Sequence, residues 1–182
     1  MSYKPFLSGN RIYLREVRIS DINERYYYWI NDPEINQYLE SRYFPMSVDY
    51  LVDYVAKHDG KVEEPFFAIC LNCNEEHIGN IKLGPVNWIH RRADLGYFIG
   101  EKKMWGKGYA SEAIALVLKF AFLTLNLNKI SAGCMEENLG SRKVLEKNGF
   151  RQEGFLTGYV LQNGLEKNGI LYGLRASEYL KG

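Results

Sequence analysis

Residues Met104 to Ala113 read MWGKGYASEA, where two glycines come just before a run of helix-forming residues. The first backbone N–H groups of a helix have no partner within the helix, and the aligned peptide dipoles add partial positive charge there. Because Gly106 and Gly108 carry no Cβ, an anion can approach this backbone closely. The stretch up to Ser111 therefore predicts a cradle for a phosphate or diphosphate, held largely by main-chain donors.

Two common nucleotide-binding motifs do not fit these glycines. A Walker loop has the pattern G-x-x-x-x-G-K-[ST], whereas here Gly108 follows Lys107 and Glu101 stands where the first glycine belongs. A Rossmann fingerprint needs a third glycine in an early βαβ unit, and that glycine is missing. A glycine pair before a helix also fits a tight turn that binds no ligand, so the local pattern leaves both interpretations open.

Length and composition predict one globular domain over residues 1–182. The chain is 46% apolar and 25% charged, which is typical of a protein with a sizeable core. Its formal net charge of +1 gives no electrostatic argument for binding nucleic acid or an anionic membrane. The longest apolar run, from Ala113 to Leu125, is too short to cross a bilayer, and the amino terminus lacks the apolar core of a signal peptide. We therefore expect a cytoplasmic protein.

Cys70 and Cys73 form a C-x-x-C pair, with His77 four residues further on. A structural zinc site needs four ligands, and no second pair of suitable spacing occurs. We interpret the segment as a hairpin with two incidental thiols and predict no metal. The odd number of three cysteines fits a reducing compartment.

Alternation and helical periodicity predict a strand, two helices, a meander of three strands, a helix, a strand, a helix and two final strands. Ser20 and Asp21 are expected to cap the first helix, and the helix after the glycine turn should extend to about Leu125. Asn163 and Gly164 predict the turn between the last two strands. The fold class is a mixed α/β or α+β sheet with helices on its faces.

Three further stretches carry a family resemblance: ADLGYFIG from Ala93, ENLGSRKVLEKNGF from Glu137 and WINDPEINQYL from Trp29. With the glycine turn they resemble the GNAT superfamily of acyl-CoA-dependent N-acetyltransferases, and more narrowly its ribosomal-protein-alanine branch, the RimJ/RimL type. The resemblance implies a mostly antiparallel central sheet of about seven strands, flanked by helices. It also implies a homodimer as one expected assembly, because dimers are common in that branch.

In that family the motif Q/R-x-x-G-x-G/A cradles the diphosphate of coenzyme A, and here Trp105 replaces its first residue. The resemblance therefore implies acetyl-CoA as the cofactor, acting as co-substrate. Asn138 is equally well explained as a helix cap. The residues that the resemblance assigns to the coenzyme are Phe98, Ile99, Gly100, Trp105, Gly106, Lys107, Gly108, Tyr109, Ala110, Ser111, Asn138 and Ser141.

The family reaction is direct attack of an amine on the acetyl thioester, and the attacking amine must lose a proton. Asp94 is the first expected base, working through a water, because family members often carry a carboxylate at this point of the strand. Glu136 and Glu137 are rival bases, and all three carboxylates also fit simple solvated positions. A backbone N–H on the strand that ends at Ile99 is the expected donor to the oxyanion.

The family's usual general acid is a tyrosine seven residues after the asparagine, and that position is Leu145 here. Leucine cannot donate a proton, so the resemblance fails at this residue. Ser141, close to where the thiol should emerge, is the predicted substitute, as a proton relay or as a group that positions the sulfur.

The acceptor amine stays open between a protein N-terminus and a small amine such as an amino-sugar nucleotide, an amino acid or an amine antibiotic. Trp29 is expected in the core, whereas Tyr26, Tyr27 and Tyr28 are either core or walls of an acceptor pocket. Two other function classes compete with the enzyme. One is a non-catalytic acyl-CoA-binding module, and the other is a different phosphate-binding protein such as a nucleotide enzyme.

Overall fold

The computed structural model describes residues 4–181. Within that range the chain forms an eight-stranded sheet in the order β1-β2-β3-β4-β5-β6-β8-β7 and five α-helices. The strands are β1 (Leu7–Ser8), β2 (Ile12–Glu16), β3 (Phe66–Leu71), β4 (His77–Leu83), β5 (Arg92–Ile99), β6 (Lys129–Met135), β7 (Arg151–Gln162) and β8 (Leu165–Arg175). The helices are α1 (Glu24–Asn31), α2 (Val48–His58), α3 (Tyr109–Lys119), α4 (Leu139–Lys147) and α5 (Ala176–Tyr179).

Only β5 and β6 pair in parallel, and their pairing is short. It begins at Arg92 with Lys129 and stops at Asp94 with Ser131, although both strands continue. All other neighbouring strands of the sheet are antiparallel. A wedge therefore opens between residues 95–99 of β5 and 132–135 of β6, which we call the β5–β6 gap.

Helices cover both faces of the sheet. On one face, α3 buries Ala113, Ile114, Val117 and Leu118, whose spacing puts them on one side of the helix, against strand residues such as Leu14. The opposite face carries α1 and α2. Their buried residues are Tyr26, Trp29, Ile30, Leu51 and Val55.

The predicted mixed sheet with flanking helices is confirmed, and Trp29 lies in the core at 2% exposure. The eighth strand, β1, was not predicted, because two residues are too few to show alternation. The predicted cap of α1 is wrong: Asn23 accepts from the Tyr26 amide, while Asp21 lies in a preceding 3-10 turn and pairs with Arg15. Helix α3 continues as a π-helical turn to Thr124, close to the predicted end.

The C-x-x-C pair lies at a hairpin, as interpreted from the sequence. Cys70 is buried in β3, and Cys73 is exposed in the turn that leads to β4. Among residues 4–181, no three histidine, cysteine or acidic side chains gather closely enough to hold a metal ion. Over the same range, no helix combines the length and the apolar character needed to cross a membrane.

Candidate active site

The glycine turn follows β5 and leads directly into α3. Gly106 and Gly108 have φ values of +71° and +82°, a region that glycine enters without steric cost. Gly108 is the N-cap of α3, and no side chain caps the helix. A Cβ placed on Gly106 would meet no protein atom within 4 Å. The turn thus presents uncapped helix amides beside open space, which suits a bound anion.

Arg11 holds this turn in place from the start of β2. Its Nη1 donates to the Lys107 carbonyl at 2.9 Å, and its Nε and backbone N–H donate to the Glu112 carboxylate at 2.9 and 2.8 Å. Burial alone would raise the pKa of Glu112, but the bonds and charge of Arg11 outweigh it and lower that pKa. No local pattern predicts these contacts, because Arg11 lies 101 positions from Glu112 and 96 positions from Lys107.

The backbone N–H and C=O groups of successive β5 residues point alternately toward the neighbouring strand β4 and toward the β5–β6 gap. The Gly84 N–H donates to the Asp94 carbonyl, and the Gly100 N–H donates to the Ile78 carbonyl. The backbone groups of the even-numbered β5 residues therefore point toward β4. Tyr97 and Ile99 therefore turn their backbone groups toward the gap. The Ile99 carbonyl accepts from the Trp105 indole at 2.7 Å, which leaves the Tyr97 and Ile99 N–H groups facing the gap.

A cavity of about 540 Å³ runs from the β5–β6 gap to the glycine turn, and we call it the turn cavity. Its size is that of a typical ligand site. It brings together ten of the twelve residues expected to contact a coenzyme: Phe98, Ile99, Trp105, Gly106, Gly108, Tyr109, Ala110, Ser111, Asn138 and Ser141. Lys107 and Gly100 do not line it: the Lys107 carbonyl is held by Arg11, and a Cβ on Gly100 would overlap the Trp29 ring.

The start of α4 supplies polar groups to the turn cavity. The Asn138 side chain accepts from the Ser141 amide at 3.0 Å and so caps the helix, while also lining the cavity. Ser141 Oγ lies 2.8 Å from the Tyr97 hydroxyl. Leu145 is fully buried in the core, so α4 offers no hydroxyl at that position.

Tyr97 is the site residue that sequence reasoning missed. Burial raises the pKa of Tyr97 to about 12, although its hydrogen bond with Ser141 acts in the opposite direction. The phenol therefore keeps its proton throughout the physiological pH range. The sequence did hold a signal, since Tyr97 shares the odd-numbered register of Ile99, which ends the strand expected to supply the oxyanion donor.

A second cavity, of about 550 Å³, lies under α1 and α2, and we call it the aromatic cavity. It shares Leu39, Tyr97 and Phe98 with the turn cavity, so the two cavities meet near the carboxyl end of β5. Tyr26 is buried and lines it, whereas Tyr27 and Tyr28 are exposed. The residues around the rest of its wall are Ile30, Glu40, Ser41, Met46, Tyr50, Leu51, Tyr54, Phe66, Asn80, Lys82 and Gly96.

The three carboxylates expected as bases line neither cavity. Asp94 is exposed at the paired end of β5, roughly 13 Å along the strand from Phe98. Glu136 accepts from Asn168 at 2.8 Å, and Glu137 forms an ion pair with Lys167. A base role for Asp94 would need a chain of waters, and it stays a prediction.

Buried charges and a neutral imidazole lie beneath the aromatic cavity. Arg15 and Asp21 form two hydrogen bonds of 2.8 and 2.7 Å, and both side chains are almost fully buried. Burial lowers the pKa of His77 to about 4, even though Asp21 pulls it upward. His77 is therefore neutral at physiological pH.

We expect acid to destabilise the fold through His77. Its folded pKa of about 4 lies below the unfolded value of roughly 6.5, so the unfolded state binds the proton more tightly. The stabilisation that comes from keeping His77 neutral is complete above about pH 6.5 and is lost as the pH falls toward about 4. At about pH 5 the free energy of unfolding should be lower by about 2 kcal/mol. Urea unfolding as a function of pH measures it.

The matched variants for that measurement are His77→Gln and His90→Gln. His90 is exposed in the loop between β4 and β5. The His77 variant should lose most of the pH dependence between about pH 6.5 and 5, while the His90 variant keeps it. An unchanged slope in His77→Gln would contradict the assignment.

A family model described as the acetyltransferase (GNAT) domain matches residues 11–151. The protein belongs to the GNAT acetyltransferase family. The matched range includes Arg11, the glycine turn, the β5–β6 gap and the start of α4. The GNAT domain thus contains every described residue that lines the turn cavity.

Relatives of this GNAT protein cover nearly its whole length. The uncharacterised N-acetyltransferase p20 of Bacillus licheniformis is 31% identical over 176 residues, which are 95% of this chain and 97% of p20. The crystal structure of spermidine N-acetyltransferase from Vibrio cholerae in complex with CoA and spermine has a TM-score of 0.85 at 27% identity, covering 94% of this chain and 99% of that one. The GNAT protein is thus an acyltransferase of the N-acetyltransferase type.

The narrower RimJ/RimL branch is not confirmed. YdaF of Bacillus subtilis, to which a ribosomal N-acetyltransferase role is provisionally given, is 32% identical over 101 residues. This match covers 56% of the GNAT chain and 55% of YdaF. The comparisons thus show the GNAT family and do not assign the chain to that branch.

Proposed function

We propose that the protein transfers the acetyl group of acetyl-CoA to a primary amine by direct attack within a ternary complex. The observation that carries this proposal is the meeting of two cavities at Tyr97 and Phe98. One cavity ends at an uncapped helix N-terminus suited to a diphosphate, and the other is a separate, aromatic-walled space suited to an acceptor.

On the coenzyme side, the amides from Gly106 to Ser111 would hold the diphosphate, and the β5–β6 gap would take the pantetheine arm. The N–H groups of Tyr97 and Ile99 face this gap, so they are suited to bind the carbonyl oxygen of the thioester as negative charge develops on it. The Gly100 N–H donates to the Ile78 carbonyl and is therefore not a donor to the thioester oxygen in this proposal.

Tyr97 is the proposed proton donor to the departing thiolate. Its pKa of about 12 keeps the phenol protonated, so the hydroxyl passes its proton to the sulfur as the C–S bond breaks, and the proton released by the attacking amine restores the phenol. Ser141 orients the phenol through their 2.8 Å hydrogen bond and is a positioning residue in this scheme. This arrangement supplies from β5 the hydroxyl that α4 lacks at Leu145.

The proposed acceptor is a small amine. The aromatic cavity is roofed by α1 and α2 and holds about 550 Å³, which fits a small molecule. A relative that covers nearly the whole chain is named as a spermidine N-acetyltransferase, which also favours a small amine over a protein terminus.

Calorimetric titration with acetyl-CoA, followed by transfer assays on an amine panel, tests the proposal. We expect saturable binding of acetyl-CoA, no competition by ATP or NAD, and acetylation of at least one panel member. Binding without transfer to any amine would support an acyl-CoA-binding module instead. No binding at about millimolar acetyl-CoA would end the proposal altogether.

A further inference from the structure

One buried amide in the aromatic cavity has a donor without a partner. Asn80 is only 1% exposed, and among residues 4–181 its Nδ2 has no hydrogen-bond acceptor. The residue lies in β4, directly opposite Phe98 of β5, and lines the cavity. Buried side-chain donors are nearly always paired, so this one is available to an acceptor atom of a molecule in the cavity.

His77 determines which way this amide points. Its Nε2 lies 2.9 Å from the Gly79 carbonyl, which can only accept, so Nε2 carries the ring proton. The same nitrogen lies 3.2 Å from Asn80 Oδ1, which therefore accepts as well. The neutral imidazole thus holds the oxygen of the amide inward, and the NH₂ group is left free for a bound molecule.

Lys82 adds a cation to the same wall. It follows Asn80 by two residues in β4, so both side chains lie on one face of the strand, roughly 7 Å apart at their Cα atoms. Its Nζ donates to the Tyr54 hydroxyl at 3.2 Å, and the ammonium group has two further protons.

The cavity wall offers little to a polycation. Glu40 is the one carboxylate among the described lining residues, and its side chain is 86% exposed and lies 3.7 Å from Arg42. Ser41 adds a buried hydroxyl that has no hydrogen-bond partner among residues 4–181. The polar groups of the inner wall are therefore an amide donor, hydroxyls and one positive charge, set among aromatic and aliphatic side chains.

We infer that the acceptor carries a carbonyl or carboxylate oxygen next to its amine, and that Asn80 and Lys82 bind this oxygen. The inference rests on the proposed function and narrows its substrate class. Asn80 lies opposite Phe98, where the two cavities meet, so an oxygen on its NH₂ group brings the neighbouring amine close to the thioester. The site then selects α-amino acids or their carbonyl derivatives over plain alkylamines and polyamines.

Matched amine triplets test this selection at saturating acetyl-CoA. Each triplet is an amino acid, its amide and the amine without the oxygen, such as leucine, leucinamide and isoamylamine, or phenylalanine, phenylalaninamide and phenethylamine. Leucylglycine and spermidine complete the panel, and leucylglycine distinguishes a peptide terminus from a free amino acid. We expect kcat/KM for the oxygen-bearing members to exceed that of the bare amines by about tenfold or more.

Two variants assign the selection to their residues. Asn80→Asp keeps an oxygen for His77 but replaces the donor, so it should lower kcat/KM for amino acids and amides alike while sparing the bare amines. Lys82→Met should lower kcat/KM for the carboxylates and leave the neutral amides unchanged. Lys82 is only partly buried, so its variant keeps the test decisive if Asn80→Asp fails to fold.

The outcomes separate this inference from the proposed function. Acetyl-CoA binding by calorimetry should be unchanged in both variants, and its absence in the wild-type protein would overturn the proposed function. If acetyl-CoA binds but isoamylamine or spermidine is used as well as leucine or leucinamide, the inference is wrong and the function stands. A panel in which no oxygen-bearing member is acetylated overturns the inference as well.

Discussion

Gly106→Val is expected to weaken acetyl-CoA binding by about a hundredfold or more, which corresponds to about 2.7 kcal/mol. The position has a φ of +71°, and the space that its side chain would enter contains no protein atom within 4 Å. A branched side chain would therefore occupy the volume proposed for the diphosphate and force the turn away from its present conformation. Isothermal titration calorimetry with acetyl-CoA measures the loss.

Gly164→Val is the matched control for backbone strain. Gly164 lies in the turn between β7 and β8 with a φ of +76°, and a Cβ there also meets nothing within 4 Å. The two variants should lose similar stability in thermal unfolding, because each forces a branched residue into the left-handed region. If both bind acetyl-CoA with wild-type affinity, the diphosphate does not bind at the glycine turn.

Tyr97→Phe is expected to lower kcat by about a hundredfold while leaving the KM for acetyl-CoA nearly unchanged. The substitution removes one oxygen and keeps the ring in the core cluster. What is lost is the protonated hydroxyl that lies 2.8 Å from Ser141 Oγ at the junction of the cavities. Steady-state kinetics with a good acceptor separate kcat from KM.

Two further variants make the Tyr97 result interpretable. Ser141→Ala should lower kcat less than Tyr97→Phe, because the phenol survives and loses only its orienting bond. Tyr159→Phe, at an exposed position in β7, should leave both constants unchanged. If Tyr97→Phe turns over at the wild-type rate, the thiolate is protonated by another group or by water.

The local part of the site could be predicted from the sequence. Gly106 and Gly108 predict an unusual backbone conformation before a helix, and both have the positive φ that such a turn needs. Asn138 sits where a cap is expected, and it does cap α4. In each case the interacting groups are a few residues apart, so the pattern contains the information.

The remaining features depend on which strands become neighbours. Arg11 reaches Glu112 because β2 is near α3, and the Asn80 amide faces the acceptor cavity because β4 pairs with β5. Asp94 depends on such neighbours too: it lies four positions before Phe98 in the same strand, so its role as the base stays a prediction that needs a chain of waters. Spacing along one strand was known from the sequence, but the point where β5 leaves β6 was not.

Main-chain binding of the diphosphate has a consequence for how this segment can vary. Amide donors exist whatever side chain is attached, so replacements at Lys107 or Tyr109 leave the number of donors unchanged, and Trp105 already departs from the family motif. Only a residue that cannot adopt a positive φ would change the backbone conformation and weaken binding of the diphosphate. In this chain, substitutions should thus be tolerated at Lys107 and Tyr109 but not at Gly106 or Gly108.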